Sequence, residues 1–586
     1  MSRMKTYAKT FALFTAVLIV VWFITPFFGV VDDAYITYTY ARNLATGHGV
    51  SFNPGERVEG CTAFLHMLLL APFARLTSRL DLVALVFNIL AWAGVATLTW
   101  SFLRRRDGRR PGGMALFSMC FVLLGLSGLA WTYSGMEMPL VALCWLGAAK
   151  LHLRERETGV QPWASALVTV AAGLLRPDGI LVAVPLALST WYVGARKFNW
   201  AKAAVYSAIV VGLFGGYWFW RWNYFGYLLP NTFYAKVNTT SLALTMTGVV
   251  YLLRWLFGMV IPLGALAAII YERRSQRTAP RWVWVMGGLV LTSVAYCLLV
   301  GADFFSYHRF LLPALAPVTL LFWWFGVGAN ATRRASEHRA ASAKPSVVLL
   351  AALFLLVQLV YFVGRFWPPQ GVVHKVIVVD NTQDWGLIAR EFNRTLPPDA
   401  MIATIPIGAM GYFSHRYILD MVGLTDTHIA HRAVPTGMLI TGHEKYDIDY
   451  VLARAPALIY TWPCIMAEGA PGLEDWVSSN VGAEAQMKMM SDARTRVKYR
   501  LCWLPMGSRG GVIGLIRRDL FGQPAWRMFQ PIPPEYDEWV WYAFDSKNIP
   551  EMFRKVAELR RSLLRGEKPE TPELNRGVVL PIGPRH

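Results

Sequence analysis

Long apolar runs separated by short polar segments fill the first two thirds of the chain. The last third alternates shorter apolar runs with mixed charge. A helix crossing the hydrocarbon core needs about 20 mostly apolar residues. Runs of that character fall at roughly 10–31, 80–103, 113–132, 137–153, 162–176, 178–195, 200–220, 243–271, 282–300, 310–328 and 346–366, which predicts about eleven transmembrane helices. The fourth to sixth are short. The stretch 62–76 is also apolar, but it is short and contains Pro72, so it predicts an amphipathic helix on the outer surface. The N-terminal run is long for a signal peptide and has no small-residue cleavage site after it, so it predicts an uncleaved first span.

The polar segments between the runs fix an orientation. With the N-terminus inside, inner segments hold Arg3, Lys5 and Lys9, then Arg104, Arg105, Arg106, Arg109 and Arg110, then Lys150, Arg154 and Arg156. Further inner segments hold Arg196, Lys197 and Lys202, then Arg273, Arg274, Arg277 and Arg281, then Arg333, Arg334, Arg339 and Lys344. Each is more basic than its outer neighbours, as cytoplasmic loops are. Eleven crossings from an inside start place the C-terminus outside. The expected location is therefore a cell membrane, multi-pass, with a cytoplasmic N-terminus and an extracytoplasmic C-terminus.

Residues 1–369 read as the transmembrane domain and 370–586 as an extracytoplasmic α/β domain. In the latter, MIATIPIGAMGYF and YVLARAPALIY are apolar runs of strand length beside Gly and Pro. The tail after about 565 predicts irregular chain. Cys464 and Cys502 fall in this domain, and an extracytoplasmic location would permit a disulfide between them.

Composition sharpens the membrane reading. Charged residues make up 16% and hydrophobic residues 55%, with a mean hydropathy of +0.37, against about 25% charged in soluble domains. The net charge of +20 would suggest nucleic acid in a soluble protein. Here it is accounted for by the inner loops, so nucleic acid is excluded as a partner.

Unusual polar residues collect at the outer borders. The first outer loop opens with Asp32, Asp33 and Tyr35 in VDDAYITYTYARNL. Later borders carry Glu137 in YSGMEMPL, Arg176 and Asp178 in RPDG, and Asn231, Tyr234 and Lys236 in LLPNTFYAK. The last carries Asp303, His308 and Arg309 in GADFFSYHRFLLP. Ionisable groups at membrane depth are costly and mark function by default. Five loops placing acids and bases on one face suit a site assembled between helices. Adjacent carboxylates at 32 and 33 suit a general base, a divalent cation (Mg, Mn or Ca), or both. The plainer readings are solvated interface acids, an Arg176–Asp178 structural pair, and a Glu137 held by its helix dipole. Arg176, Lys236, His308 and Arg309 suit a phosphate. Asp426, His443, Glu444 and Lys445 in the last third suit acceptor contacts or plain solvated surface.

These blocks, taken in order, resemble the GT-C superfamily of membrane glycosyltransferases. The likeness extends through FNPGERVEG to IGAMGYFSHRYILDMVGLTD and ITGHEKYD, and is nearest to the terminal β-(1→2)-arabinofuranosyltransferase type of actinobacterial cell-wall enzymes. Cys61 departs from the bulkier residue expected in that pattern. The resemblance implies a GT-C-like transmembrane fold, a polyprenyl-phosphate-linked sugar donor and a cell-envelope glycan or glycolipid acceptor on the outer face. It also implies a base or metal ligand at Asp32 or Asp33. Inversion by single displacement is the expected course. A lipid or polysaccharide transporter would show inverted repeats and mid-membrane polar residues, and neither is visible. A non-catalytic receptor would leave the convergence of the loops accidental.

Overall fold

The structure, a computed structural model, describes residues 2–24, 29–104, 113–192, 200–236, 242–258, 280–324 (without 302, 304 and 306), 382–433, 445–460, 484–532 (without 508 and 509) and 541. The helical part consists of α1 (Ser2–Ile24), α2 (Asp32–Ala45), α3 (Phe64–Ala74), α4 (Leu80–Arg104), α5 (Gly113–Leu124), α6 (Leu126–Tyr133) and α7 (Met138–Thr158). It continues with α8 (Trp163–Leu175), α9 (Ala183–Tyr192), α10 (Trp200–Phe225), α11 (Asn231–Lys236), α12 (Leu242–Gly258), α13 (Arg281–Val300) and α14 (Leu312–Trp323). Among the described residues, four helices are long and apolar enough to cross a membrane: Met4–Ile24, Leu80–Leu103, Trp200–Phe225 and Arg281–Val300. The eleventh expected span, 346–366, lies outside the described residues.

Breaks in the apolar runs have local causes. The 113–132 run is interrupted at Gly125, whose Cβ, if present, would lie 2.5 Å from the Phe121 carbonyl oxygen. The 178–195 run opens as a 3₁₀ segment, Pro177–Val182, because Pro177 lacks an N–H and Arg176 before it is extended. The stretch 62–76 forms the short α3, with Pro72 inside it.

The sheet-containing part begins with α15 (Thr382–Thr395) and includes β1 (Met401–Thr404), α16 (Gly408–Ser414), β2 (Tyr417–Asp420), α17 (Thr427–Ala430), α18 (Ile448–Arg454), β3 (Leu458–Tyr460), β4 (Tyr499–Pro505), β5 (Gly511–Arg517) and β6 (Gln530–Pro531). The strand order is β2-β1-β3-β5-β4-β6. β1 runs parallel to β2 and β3, while the β3–β5, β5–β4 and β4–β6 pairs are antiparallel. Strands β1 to β5 are buried along nearly their whole length, as expected for a sheet covered on both faces.

The segment between α2 and α3 ties the two parts together. β2 is an edge strand, and Asn53 pairs with it as a neighbouring strand would: its Nδ2 donates to the Ile418 carbonyl at 2.9 Å and its Oδ1 accepts from the Ile418 N–H at 3.1 Å. The N–H and carbonyl of Ile418 on this edge are thereby satisfied, which shortens the row of open backbone groups an edge strand presents. Glu59 forms a buried ion pair with Arg221 of α10. Tyr40 Oη accepts from the Gly60 N–H at 2.8 Å. The FNPGERVEG block is therefore largely architectural.

Candidate functional site

The acids at 32 and 33 begin α2, and the structure gives them different surroundings. α2 is docked by the Val31 N–H, which donates to the Ser134 carbonyl at 3.0 Å, and by Tyr38 Oη, which donates to the Gly135 carbonyl at 3.0 Å. Gly135 has φ +78°, and a Cβ there would lie 2.3 Å from Tyr38 Oη, so only glycine closes this turn.

Asp32 is buried. Its Oδ2 accepts from the Gly408 N–H at 2.8 Å and its Oδ1 from the Ala409 N–H at 2.7 Å. It thus satisfies the open donors at the start of α16, a cap supplied from 376 residues away. A Cβ on Gly408 would lie 1.9 Å from the Asp32 carbonyl oxygen. Burial raises the Asp32 carboxyl to about 7, against the two N–H bonds that lower it, and neighbouring Asp33 raises it further. Of the two acids left open as the base, Asp32 is engaged on backbone N–H groups and ties the two parts of the molecule together.

Asp33 points elsewhere. Its side chain is 29% exposed and lies 3.9 Å from Arg309. Arg309 is buried, bonds Asp303 Oδ1 at 2.8 Å, and lies over the rings of Phe305, Phe310 and Trp131. Asp303 Oδ2 and Arg309 Nε are buried without a hydrogen-bond partner among the described residues. The turn carrying Arg309 is strained: Tyr307 and His308 have φ of 66° and 55°, a left-handed conformation costly for such residues. α6 holds it in place, since Ser127 Oγ and Trp131 Nε1 donate to the Tyr307 carbonyl at 2.6 and 3.0 Å.

The RPDG block joins this cluster. Arg176 bonds Glu137 at 2.9 Å and Asp178 at 3.0 Å. Its guanidinium and that of Arg309 both lie over the Phe310 ring, at 5.8 and 5.4 Å. Lys236 feels the charges of Asp33, Arg309, Asp303 and Arg176, and burial holds its ammonium below the ordinary lysine range. Asp33, Glu137, Arg176, Asp178, Lys236, Asp303 and Arg309, drawn from five loops, therefore form one neighbourhood. Tyr251 and Tyr296, in the apolar helices α12 and α13, complete it through ring contacts with His308 and Phe310. The sequence reading missed them because a tyrosine in an apolar run carries no distinguishing pattern.

Other expected site residues fall outside this neighbourhood or act differently in it. His308 is pushed down to about 4 by burial, with Arg254 adding to the effect, so at neutral pH it carries no charge for a phosphate. Asn231 Nδ2 donates to the carbonyls of Gly423 and Leu424 at 2.8 and 3.0 Å, a tie to the sheet part. Tyr234 packs against the His431 ring at 4.3 Å. Asp426 caps α17 by accepting from the Ile429 N–H at 3.0 Å. Lys445 is buried, and its Nζ donates to the Ala430 carbonyl at 2.6 Å. Its burial on a carbonyl corrects the reading of Lys445 as plain solvated surface. Tyr35 lines a separate cavity. His443, Glu444 and Cys464 lie outside the described residues, and Cys502 is buried on β4.

The acids at 32 and 33 do not fit the expected divalent cation. Both Asp32 oxygens already face backbone N–H groups, and Asp33 faces Arg309. Among the described residues, no group of three or more His, Cys, Asp or Glu is placed to hold a metal ion.

Comparison with known proteins adds three findings. A family model described as a domain of unknown function (DUF8728) matches residues 377–501. Two curated relatives are both named terminal beta-(1->2)-arabinofuranosyltransferase. That of Mycobacterium tuberculosis is 31% identical over 231 residues, 35% of this chain and 35% of the relative. That of Corynebacterium glutamicum is 26% identical over 337 residues, 50% of this chain and 47% of the relative. The matched segments thus span a third to a half of the relatives' length. Among solved structures, ArnT from Cupriavidus metallidurans in the apo state aligns with a TM-score of 0.50 at 14% identity, covering 86% of this chain and 97% of ArnT. ArnT bound to undecaprenyl phosphate aligns equally well at 13% identity, covering 87% and 99%. At such identity the likeness shows the fold. The chain shares its fold with ArnT and is mostly helical, with several apolar helices.

Proposed function

Starting from that fold, we propose that the chain is a membrane glycosyltransferase that moves a sugar from a polyprenyl phosphate to a cell-envelope glycan or glycolipid on the outer face of the membrane. The names of the two curated relatives favour arabinofuranose as the sugar. The undecaprenyl phosphate in the ArnT complex favours a lipid-linked donor. The observation that carries the reading is the meeting of Asp33, Lys236, Asp303 and Arg309 from separate loops, with Asp33 partly open to solvent.

The chemistry follows from these groups. Asp33, as a carboxylate, takes the proton from the acceptor hydroxyl. The acceptor oxygen forms its bond to the anomeric carbon as the bond from that carbon to the phosphate oxygen breaks. The electron pair leaves with the polyprenyl phosphate. Arg309 and Lys236 donate charge-assisted hydrogen bonds to the departing phosphate. Asp303 holds the Arg309 guanidinium in place, and Arg176 is fixed between Glu137 and Asp178 beside it. Asp33 is the base in preference to Asp32, because Asp32 is occupied as a cap. Displacement in one step inverts the anomeric centre.

The test is a membrane preparation of the wild type and of Asp33→Asn, supplied with a panel of polyprenyl-phosphate sugars and envelope glycans. Transfer by the wild type with inverted configuration, and its loss in Asp33→Asn, is expected. A product of retained configuration contradicts the single displacement, and unchanged transfer by Asp33→Asn contradicts the assignment of the base.

A further inference from the structure

A cavity of about 550 Å³ lies on another flank of α2, between α1, the start of α4 and the start of α15. Its size falls within the ~300–1,000 Å³ of ligand sites. Four aromatic rings, Trp22, Tyr35, Tyr133 and Phe413, line it beside aliphatic side chains such as Leu82 and Leu85. Its polar lining is balanced in charge, with Arg79 and Arg390 against Asp81 and Asp384, and Gln383 beside them. Arg79 forks onto Asp81, with a closest contact of 2.8 Å, and the Arg390 guanidinium lies 3.8 Å over the Phe413 ring. Thr382 also lines the cavity. It is buried, and its Oγ1 has no hydrogen-bond partner among the described residues.

These features select a class of ligand. A phosphate would meet two aspartates, and an ammonium would meet two arginines. A hydroxyl both donates and accepts, so a row of guanidinium, carboxylate, amide and threonine hydroxyl can satisfy it from either side. Flat rings beside such a row give the C–H faces of a sugar an apolar wall, as aromatic side chains with polar neighbours do. We propose that this cavity is a carbohydrate subsite holding a neutral sugar unit of the acceptor. The assignment to the acceptor rests on the glycosyltransferase reading above. Tyr35 follows Asp33 by two residues, which on a helix turns it about 200° away. A sugar in this cavity is therefore not the one whose hydroxyl meets Asp33. It is a distant unit of a longer acceptor that passes around the start of α2.

The test uses the full chain in lipid nanodiscs. Saturation-transfer NMR and calorimetry are run with a neutral arabinofuranose hexasaccharide, a glucose hexasaccharide, and inorganic phosphate. Wild type should bind a hexasaccharide, and Gln383→Ala and Arg390→Ala should each weaken that binding at least tenfold. In transfer assays the same variants should raise KM for the hexasaccharide acceptor at least tenfold, with kcat within twofold and KM for a single-sugar acceptor unchanged. Asp33→Asn should lose transfer and keep hexasaccharide binding. Wild type that binds neither hexasaccharide, variants that bind as tightly as wild type, or a site that takes phosphate instead each overturn the proposal. Sugar binding that tracks the cavity variants in a protein that transfers nothing upholds the carbohydrate site and removes the transferase reading. Intact transfer with wild-type KM in both cavity variants does the reverse.

Discussion

Two regions of this molecule are rich in buried polar groups, and they are built on opposite terms. At the junction with the sheet, the polar side chains answer backbone groups. Asp32 caps Gly408 and Ala409, Asn53 pairs with Ile418, and Asn231 holds the carbonyls of Gly423 and Leu424. Around the start of α2, the charged side chains answer one another. Asp33, Asp303 and Arg309 share one charge network, with one oxygen and one nitrogen of that network unpartnered among the described residues. A side chain matched to a fixed backbone group stabilises one arrangement and has little left to offer a ligand. A charged cluster with remaining capacity is held at an energetic cost that a substrate can relieve. Asp32 and Asp33, adjacent in sequence, fall on the two sides of that division.

The largest expected effect separates these neighbours. Asp33→Asn should lower transfer by about 10²–10⁴-fold, the usual worth of a general base, with an unchanged melting temperature in detergent. Asp32→Asn should retain measurable transfer and lose stability instead. Equal losses of transfer in the two variants would erase the comparison. Next comes Arg309→Ala, expected to cost roughly 10²–10³-fold in kcat, as removal of one donor to a developing anion does. Arg309→Lys should recover little, because a lysine cannot span Asp303 and a phosphate as a planar fork does.

Effects at the junction should be on stability alone. Asn231→Ala leaves carbonyls of the 423–424 turn unanswered and should cost about 1–3 kcal/mol, read by denaturant midpoint in detergent with kcat per folded molecule unchanged. Of comparable size is the pH response. The Asp32 carboxyl in the folded protein titrates at about 7, above its ordinary value of 3.8. The stability it contributes is therefore full below about 4 and is lost as pH rises through about 7. The melting temperature of wild type should fall between pH 5 and 8.5 relative to Asp32→Asn. The smallest effect is at His308. Its imidazole titrates at about 4, so His308→Gln should leave the pH profile of transfer between 5.5 and 7.5 unchanged.

Much of the helical part was legible because its cause is local. The apolar runs at 10–31, 80–103, 200–220 and 282–300 coincide with helices of membrane-spanning length. The acids and bases at 32–33, 137, 176–178, 236 and 303–309 were legible as well, since a charge beside an apolar run stands out and five such borders repeated the pattern. What each charge does was not legible, because it depends on a partner far along the chain. Asp32 reads like Asp33 until Gly408 is placed against it. Lys445 reads as a solvated cation until the Ala430 carbonyl is found 2.6 Å from its ammonium. Asn231 reads as a ligand residue until the 423–424 turn is folded beneath it. The contribution of Tyr251 and Tyr296 was hidden for a different reason, since an apolar helix accommodates tyrosine without any break in its pattern.

The most direct test of the central claim is the sidedness of the assembled loops. Single cysteines at His48 and Phe305, in a background lacking the six native cysteines, would be exposed in intact spheroplasts to a membrane-impermeant maleimide. The account predicts that both are labelled from outside, before the cells are opened. Labelling of one from outside and of the other only after lysis would place the first and last of the five loops on opposite faces of the bilayer, and no shared site could then exist.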